Sequence, residues 1–183
     1  MSRKASAVWT GNLHQGDGTL TTESGVLSET QYSYGTSFAE GIGTNPDELM
    51  AASLCGCFTM ALSNELELGG LHPARIETKT SATLEEMAAG WTVTHMQLDV
   101  HASVPDASQA RFMEAALEAK TNCPIARLLK TNISMTASLT HNSKRIQKPQ
   151  GIIALRRTVT KTIGKSLRRN KTHAKGRRKA HLK

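Results

Sequence analysis

The longest apolar stretch of the chain holds Leu49, Met50, Ala51, Ala52, Leu54, Cys55, Cys57, Phe58, Met60, Ala61, Leu62, Leu66 and Leu68. It is apolar nearly all round until Ser63, a pattern that predicts a long helix buried in the middle of the fold. The start signals agree. Asn45 is a good N-cap, because its side-chain oxygen can accept an orphan N–H of the first turn. Pro46 falls at N1, where its missing N–H costs nothing. Asp47 and Glu48 place negative charge on the positive end of the helix dipole, and Glu48 at N3 completes an Asn version of the capping box. Gly69-Gly70 ends the helix.

Before this helix the pattern predicts three short strands, over 5–12, 19–26 and 32–38, joined by tight turns as an antiparallel meander. After it, Ala74 to Glu85 alternates with Ile76, Thr78, Thr80, Ala82 and Leu84 on one face. Gly90 to Val104 follows as a second long strand, in which Trp91, Val93, His95, Gln97 and Asp99 alternate with Thr92, Thr94, Met96, Leu98 and Val100. A second helix is expected from Asp106 or Ser108 to Lys120, with Phe112, Ala115, Ala116 and Ala119 as its apolar stripe. Cys123 to Leu129 reads as a short helix capped by Asn122, and Asn132 to Leu139 as a last strand. The order βββ-α-ββ-α-α-β is α+β, with antiparallel sheets around a central buried helix and no internal repeat.

Composition changes this picture in one place. Residues 141–183 hold 15 of the 23 Lys and Arg and none of the 15 Asp and Glu. The first 140 residues are therefore acidic, at net −7, although the whole chain is +8. A boundary is expected near Thr140-His141, between a domain over 1–140 and a basic extension over 141–183, disordered or partly helical. Ile152, Leu155, Val159, Ile163 and Leu167 would line one face of a basic amphipathic helix within it. Beyond Asn170 only Leu182 is apolar and larger than Ala, so that end has little to bury. The extension would contact nucleic acid through phosphates, dock on an anionic surface, or have no selected role. No apolar run reads as a membrane span, and the basic N-terminus lacks an apolar h-region, so a cytoplasmic location is the expectation.

Three cysteines do not make a disulfide framework; in a reducing compartment they are buried apolar residues, metal ligands or reactive thiols. Cys55 and Cys57 lie two residues apart on one helix. At 100° per residue they point to roughly opposite faces and cannot bridge each other, so only one of them can share a site with Cys123. His95 and His101 share a strand face but sit six residues apart, about 20 Å along a strand. There is no CxxC, HExxH or carboxylate pair, and no metal site or cofactor is expected.

The chain resembles the OsmC/Ohr family of thiol-dependent hydroperoxide peroxidases, in its OsmC branch. The resemblance is carried by Thr22-Glu23-Ser24-Gly25-Val26-Leu27, by Gly43-Thr44-Asn45-Pro46-Asp47-Glu48-Leu49, by Ala52 through Ser63 with Cys57 inside it, and by Asn122-Cys123-Pro124-Ile125. It covers residues 5–139 in order. It implies an intertwined α+β homodimer, with two central helices back to back and active sites at the subunit interface. It further implies Cys57 as the peroxidatic thiol and Cys123 as the resolving one, an organic hydroperoxide as substrate, and a dithiol reductant of the dihydrolipoyl type. A thiolate attacks the distal peroxide oxygen and becomes a sulfenic acid, which a second thiol converts to a disulfide before over-oxidation. An apolar helix around Cys57 suits an alkyl or lipid peroxide better than hydrogen peroxide.

The resemblance also implies an Arg that stabilises the thiolate, held by a Glu ten residues before the peroxidatic Cys. Asp47 occupies the Glu position and is expected to be catalytic in that sense. The Arg positions are filled by other residues: Thr36-Ser37-Phe38 before the helix and His14-Gln15-Gly16-Asp17 in the first turn. Arg127 is the nearest substitute by sequence, with Arg3 and Arg75 reachable only through the fold. The missing Arg motivates the alternative of a non-catalytic, ligand-binding member of the same fold.

Overall fold

The computed structural model describes residues 1–38 and 43–140. The basic extension and the readings attached to it lie outside the described residues. The element order is β1 (Ala5–Thr10), β2 (Asp17–Thr22), β3 (Thr30–Tyr32), α1 (Tyr34–Phe38), α2 (Pro46–Leu68), β4 (Arg75–Met87), β5 (Gly90–Ser103), α3 (Gln109–Asn122), α4 (Pro124–Leu128) and β6 (Asn132–Leu139). They form an α+β fold with two three-stranded sheets, in the orders β1-β2-β3 and β4-β5-β6.

The start of α2 forms as its sequence dictates. The Asn45 side chain accepts the Glu48 N–H at 2.8 Å and donates to the Thr36 carbonyl at 2.9 Å, so one residue caps α2 and ties it to α1. Glu48 does not complete a reciprocal box; its carboxylate accepts from the Thr44 hydroxyl instead, at 2.8 Å. Gly43 precedes this at φ 120°, where a side chain would be strained and would run into the Gln31 carbonyl. At the other end Gly69 and Gly70 donate to Glu65 and Glu67, and Gly70 takes the left-handed φ of 70° that ends the helix.

Burial on α2 is a stripe, not a full circumference. Leu54, Phe58, Leu62 and Leu66 recur every four residues and are fully buried, whereas Met60 is 71% and Leu68 76% exposed. The stripe packs on β4 and α3, with smaller contacts to α4 and β5. Phe112, Ala116 and Ala119 face it from α3, and Met96, Leu98, Val100 and Ala102 from β5. Each large side chain removed from water here contributes about 2 kcal/mol. With 23 residues and a mean hydropathy of 1.2 over its best window, α2 does meet the length and composition of a membrane span, contrary to the expectation. In this fold it is the core helix, and its buried stripe supplies the residues that hold the sheet.

Three further expectations are corrected. The third strand stops at Tyr32 and residues 34–38 turn into α1, because Ser33 and Thr36 satisfy each other's backbone N–H groups at 3.2 and 3.1 Å, a local helix start. The second strand ends at Thr22, where Gly25 at φ 72° donates back to the Thr22 carbonyl and closes a turn. The second sheet is mixed: β4 and β5 are antiparallel, but β6 joins β5 in parallel, because α3 and α4 carry the chain back across the sheet. A register shift between Thr83 and Leu84 pairs Leu84 with Val93 and Thr83 with His95. This inserts Thr94 as an extra residue and puts Val93 on the Met96 face, which strict alternation had placed opposite. His95 and His101 bond to Ser134 and Ser138 of β6, at 2.7 and 2.8 Å.

Asn45→Ala removes both the cap and the link to Thr36. It is expected to cost about 1–2 kcal/mol in urea unfolding, and Asn45→Asp, which keeps the acceptor, to recover most of it.

Candidate active site

The two long-range partners that the fold brings together are Cys57 and Cys123. Cys57 sits in the middle of α2, half-buried and packed against the core. Cys123 lies between α3 and α4, is fully buried, and its thiol is close enough to the Cys57 thiol for the two to act on each other. Both are free. Cys55, on the other side of α2, donates its S–H to the Thr78 carbonyl of β4 at 3.1 Å, beside a Thr59–Thr78 hydroxyl pair at 2.8 Å. The helical rotation of 200° between the two cysteines thus sends one to the sheet and the other to Cys123.

Local sequence fixes Cys123. Its N–H closes the last turn of α3 on Ala119 at 2.9 Å, and its carbonyl opens α4 by accepting from Arg127 at 3.0 Å. Its sulfur, not Asn122, caps α4, accepting the Ala126 N–H at 3.5 Å. Pro124 follows at the first helical position. Burial pushes the Cys123 thiol up, and the neighbouring Cys57 adds to this; the N–H groups of Ala126 and Ile125 pull the other way without reversing it. At the start of α4 the helix dipole would favour a thiolate, but desolvation outweighs it.

Among the described residues, no arginine is bonded to either thiol. Arg75 pairs with Glu77 at 2.5 Å on the surface. Arg111 donates to the Gly69 carbonyl at 2.6 Å and closes the end of α2 against α3. Arg3 precedes β1, beside Lys4, Thr22, Glu23 and Ser24 at a surface cavity. Arg127 is exposed on α4, four residues after Cys123. Asp47, in the first turn of α2, makes no hydrogen bond or ion pair among the described residues. It lies ten residues before Cys57, about 15 Å along the helix axis, and the two do not meet within one chain.

Two polar links between α2 and α3 carry no signal in the sequence, because each joins residues far apart in the chain. One is Arg111 to Gly69. The other is Asn122 Nδ2 to Glu65 Oε1, at 3.1 Å, immediately before Cys123.

The geometry ranks the thiols. Cys123 is expected to be the slowest of the three to alkylate in the folded, reduced protein, by peptide mass spectrometry. Its raised pKa means that the unfolded chain releases this proton in the ordinary thiol range while the folded chain keeps it. Stability of the reduced protein therefore falls as pH rises through and above that range, and Cys123→Ala flattens the slope in pH-dependent urea unfolding.

Comparison with known proteins gives the family. A family model described as OsmC-like protein matches residues 39–138. The chain is 36% identical over 137 residues to a protein of Escherichia coli named Peroxiredoxin OsmC, covering 75% of this chain and 96% of the relative. Among solved structures, an OsmC-like protein of unknown function from Vibrio cholerae superposes with a TM-score of 0.63 at 15% identity, over 75% of this chain and 99% of the other. The organic hydroperoxide resistance protein OhrB of Bacillus subtilis superposes with a TM-score of 0.57 at 21% identity, over 75% and 98%. A relative this similar over nearly its whole length, and a family match over more than half of the chain, place the chain in the OsmC family.

Proposed function

We propose that the chain is a thiol-dependent peroxidase of organic hydroperoxides. The observation that carries the reading is the pairing of a half-buried Cys57 with a fully buried Cys123 at the junction of three helices. Peroxide reaches Cys57 more easily than Cys123, so Cys57 is the thiol attacked first. Its thiolate takes the distal peroxide oxygen and becomes a sulfenic acid, while the alkoxide leaves and is protonated to the alcohol. The Cys123 thiol then attacks that sulfur, water departs, and a Cys57–Cys123 disulfide remains. A dithiol reductant, of the dihydrolipoyl type by resemblance, returns both thiols by exchange. Phe58, next to Cys57 in the chain, and Ile125 and Leu129, soon after Cys123, belong to the same apolar cluster, which favours a carbon-bearing peroxide over hydrogen peroxide. The names of the relatives, a peroxiredoxin and an organic hydroperoxide resistance protein, support the same chemistry. Its three thiols suit a reducing compartment such as the cytoplasm.

The active form in this reading is a homodimer. Among the described residues the sheet β1-β2-β3 has no substantial packing partner, and all six residues of β1 are exposed. Gly56 sits inside α2 beside Cys57, where glycine costs about 1 kcal/mol relative to alanine. Nothing lies within 4 Å of where its Cβ would be, so the protomer itself gives no reason for it. Close approach of a second α2 would. Exposed Met60 and Leu68 on the same helix gain cover in that arrangement.

The test is consumption of cumene hydroperoxide by the reduced protein with dihydrolipoate, beside hydrogen peroxide. Turnover favouring the organic peroxide is expected, abolished in Cys57→Ser and limited to a single turnover in Cys123→Ser. No turnover in a folded, fully reduced protein would favour the non-catalytic alternative that the missing Arg suggests. A part for Asp47 needs a bridging guanidinium, and unchanged turnover in Asp47→Asn would remove it. Gly56→Leu is expected to halve the mass seen by analytical ultracentrifugation; an unchanged mass would count against helix-to-helix dimerisation.

A further inference from the structure

The hydrogen bonds around Cys123 fix it to its own helices and not to α2. Its N–H goes to Ala119, its carbonyl to Arg127 and its sulfur to Ala126, all within α3 and α4. What faces α2 from these helices is apolar: Phe112, Ala116 and Ala119 against the α2 stripe. Apolar contact is non-directional, so it sets the separation of the helices better than their sliding register. One exposed polar bond crosses from this junction to α2. Asn122 Nδ2 donates to Glu65 Oε1 at 3.1 Å, one residue before Cys123 and about two turns of α2 after Cys57. Apart from the thiol pair, it is the side-chain hydrogen bond that joins the Cys123 junction to α2 among the described residues; the Arg111–Gly69 bond lies at the far end of α3.

We propose that Glu65 and Asn122 are positioning residues, whose bond holds Cys123 over Cys57 for disulfide formation and has no part in the attack on peroxide. The inference rests on the peroxidase reading above and divides its two steps. The first step, Cys57 thiolate plus hydroperoxide giving sulfenic acid and alcohol, involves neither Glu65 nor Asn122. The second, sulfenic acid plus the Cys123 thiol giving disulfide and water, needs one sulfur aimed at the other, and misplacement by about 1 Å slows such a step on the order of tenfold to a hundredfold. A slow second step leaves the sulfenic acid exposed to another peroxide, which carries it to sulfinic acid. The clamp would thus set resistance to over-oxidation.

The full chain is tested as Asn122→Ala, Glu65→Ala, the double variant, and Glu65→Gln, which keeps an acceptor oxygen. Each is treated with graded cumene hydroperoxide, and intact and peptide masses report disulfide against sulfinic Cys57. The first equivalent is expected to be consumed at the parent's rate in all four. The two alanine variants are expected to form disulfide about tenfold more slowly and to accumulate sulfinic acid at lower peroxide. The double variant should be no worse than either single one, and Glu65→Gln should behave like the parent. Parental disulfide rates in the alanine variants, additive losses in the double variant, or a Glu65→Gln as slow as Glu65→Ala would each overturn the proposal. If the parent consumes no peroxide, the peroxidase reading fails. The clamp is then judged by the rate of Cys57–Cys123 disulfide formation with diamide, where an Asn122→Ala rate equal to the parent's overturns it.

Discussion

The structure depends on the burial of one stripe of α2. Leu54, Phe58, Leu62 and Leu66 leave water together, and everything that shapes the site is arranged to cover them. The sheet supplies Met96, Leu98 and Val100 from its central strand, and α3 supplies Phe112 and two alanines. The small residues on α3 matter as much as the large ones. Ala116 and Ala119 let α3 come close to α2, and that closeness lets the next residues of the chain deliver Cys123 to Cys57. A bulkier side chain at either position would hold the helices apart and separate the thiols.

The same helix serves three surfaces at once. One face feeds the core, one presents Cys57 to Cys123, and one carries Gly56 and Met60, largely uncovered among the described residues. A rotation of 100° per residue makes this possible, and it explains why two cysteines two residues apart have different fates. Cys55 gives its hydrogen to a strand carbonyl, whereas Cys57 meets a second sulfur. The acidity of Cys123 shows which effect wins at the junction. Two backbone N–H groups of α4 favour the thiolate, but removal from water outweighs them. A thiol kept protonated suits a group that waits for a sulfenic acid, and is unsuited to meeting peroxide first.

The missing arginine is a problem of chemistry and not of fold. Two of the four arginines among the described residues are committed, Arg75 to Glu77 and Arg111 to the end of α2. Asp47 stays at the far end of the helix from Cys57. Among the described residues no guanidinium is bonded to either thiol, and Arg127 on α4 is the nearest in sequence to Cys123.

The sequence by itself determined the long helix, its ends, both long strands, α3 and the rotation that splits Cys55 from Cys57. These follow from local rules: a cap, a proline, a glycine and a periodicity act within a turn or two of where they stand. The family motifs singled out Cys57 and Cys123 together, though no spacing rule joins residues on separate helices. Only the tertiary structure decided the rest. The parallel seat of β6, the bulge at Thr94, the exposed side of α2 and the bonds from Asn122 to Glu65 and from Arg111 to Gly69 all depend on which element lies across from which. Ser33 and Thr36 made α1 where β-propensity suggested a strand, because two hydroxyls satisfied two backbone donors at close range. The upward push on the Cys123 thiol comes from burial, a quantity that no sequence window contains, since it is set by what the distant parts of the chain place around one sulfur.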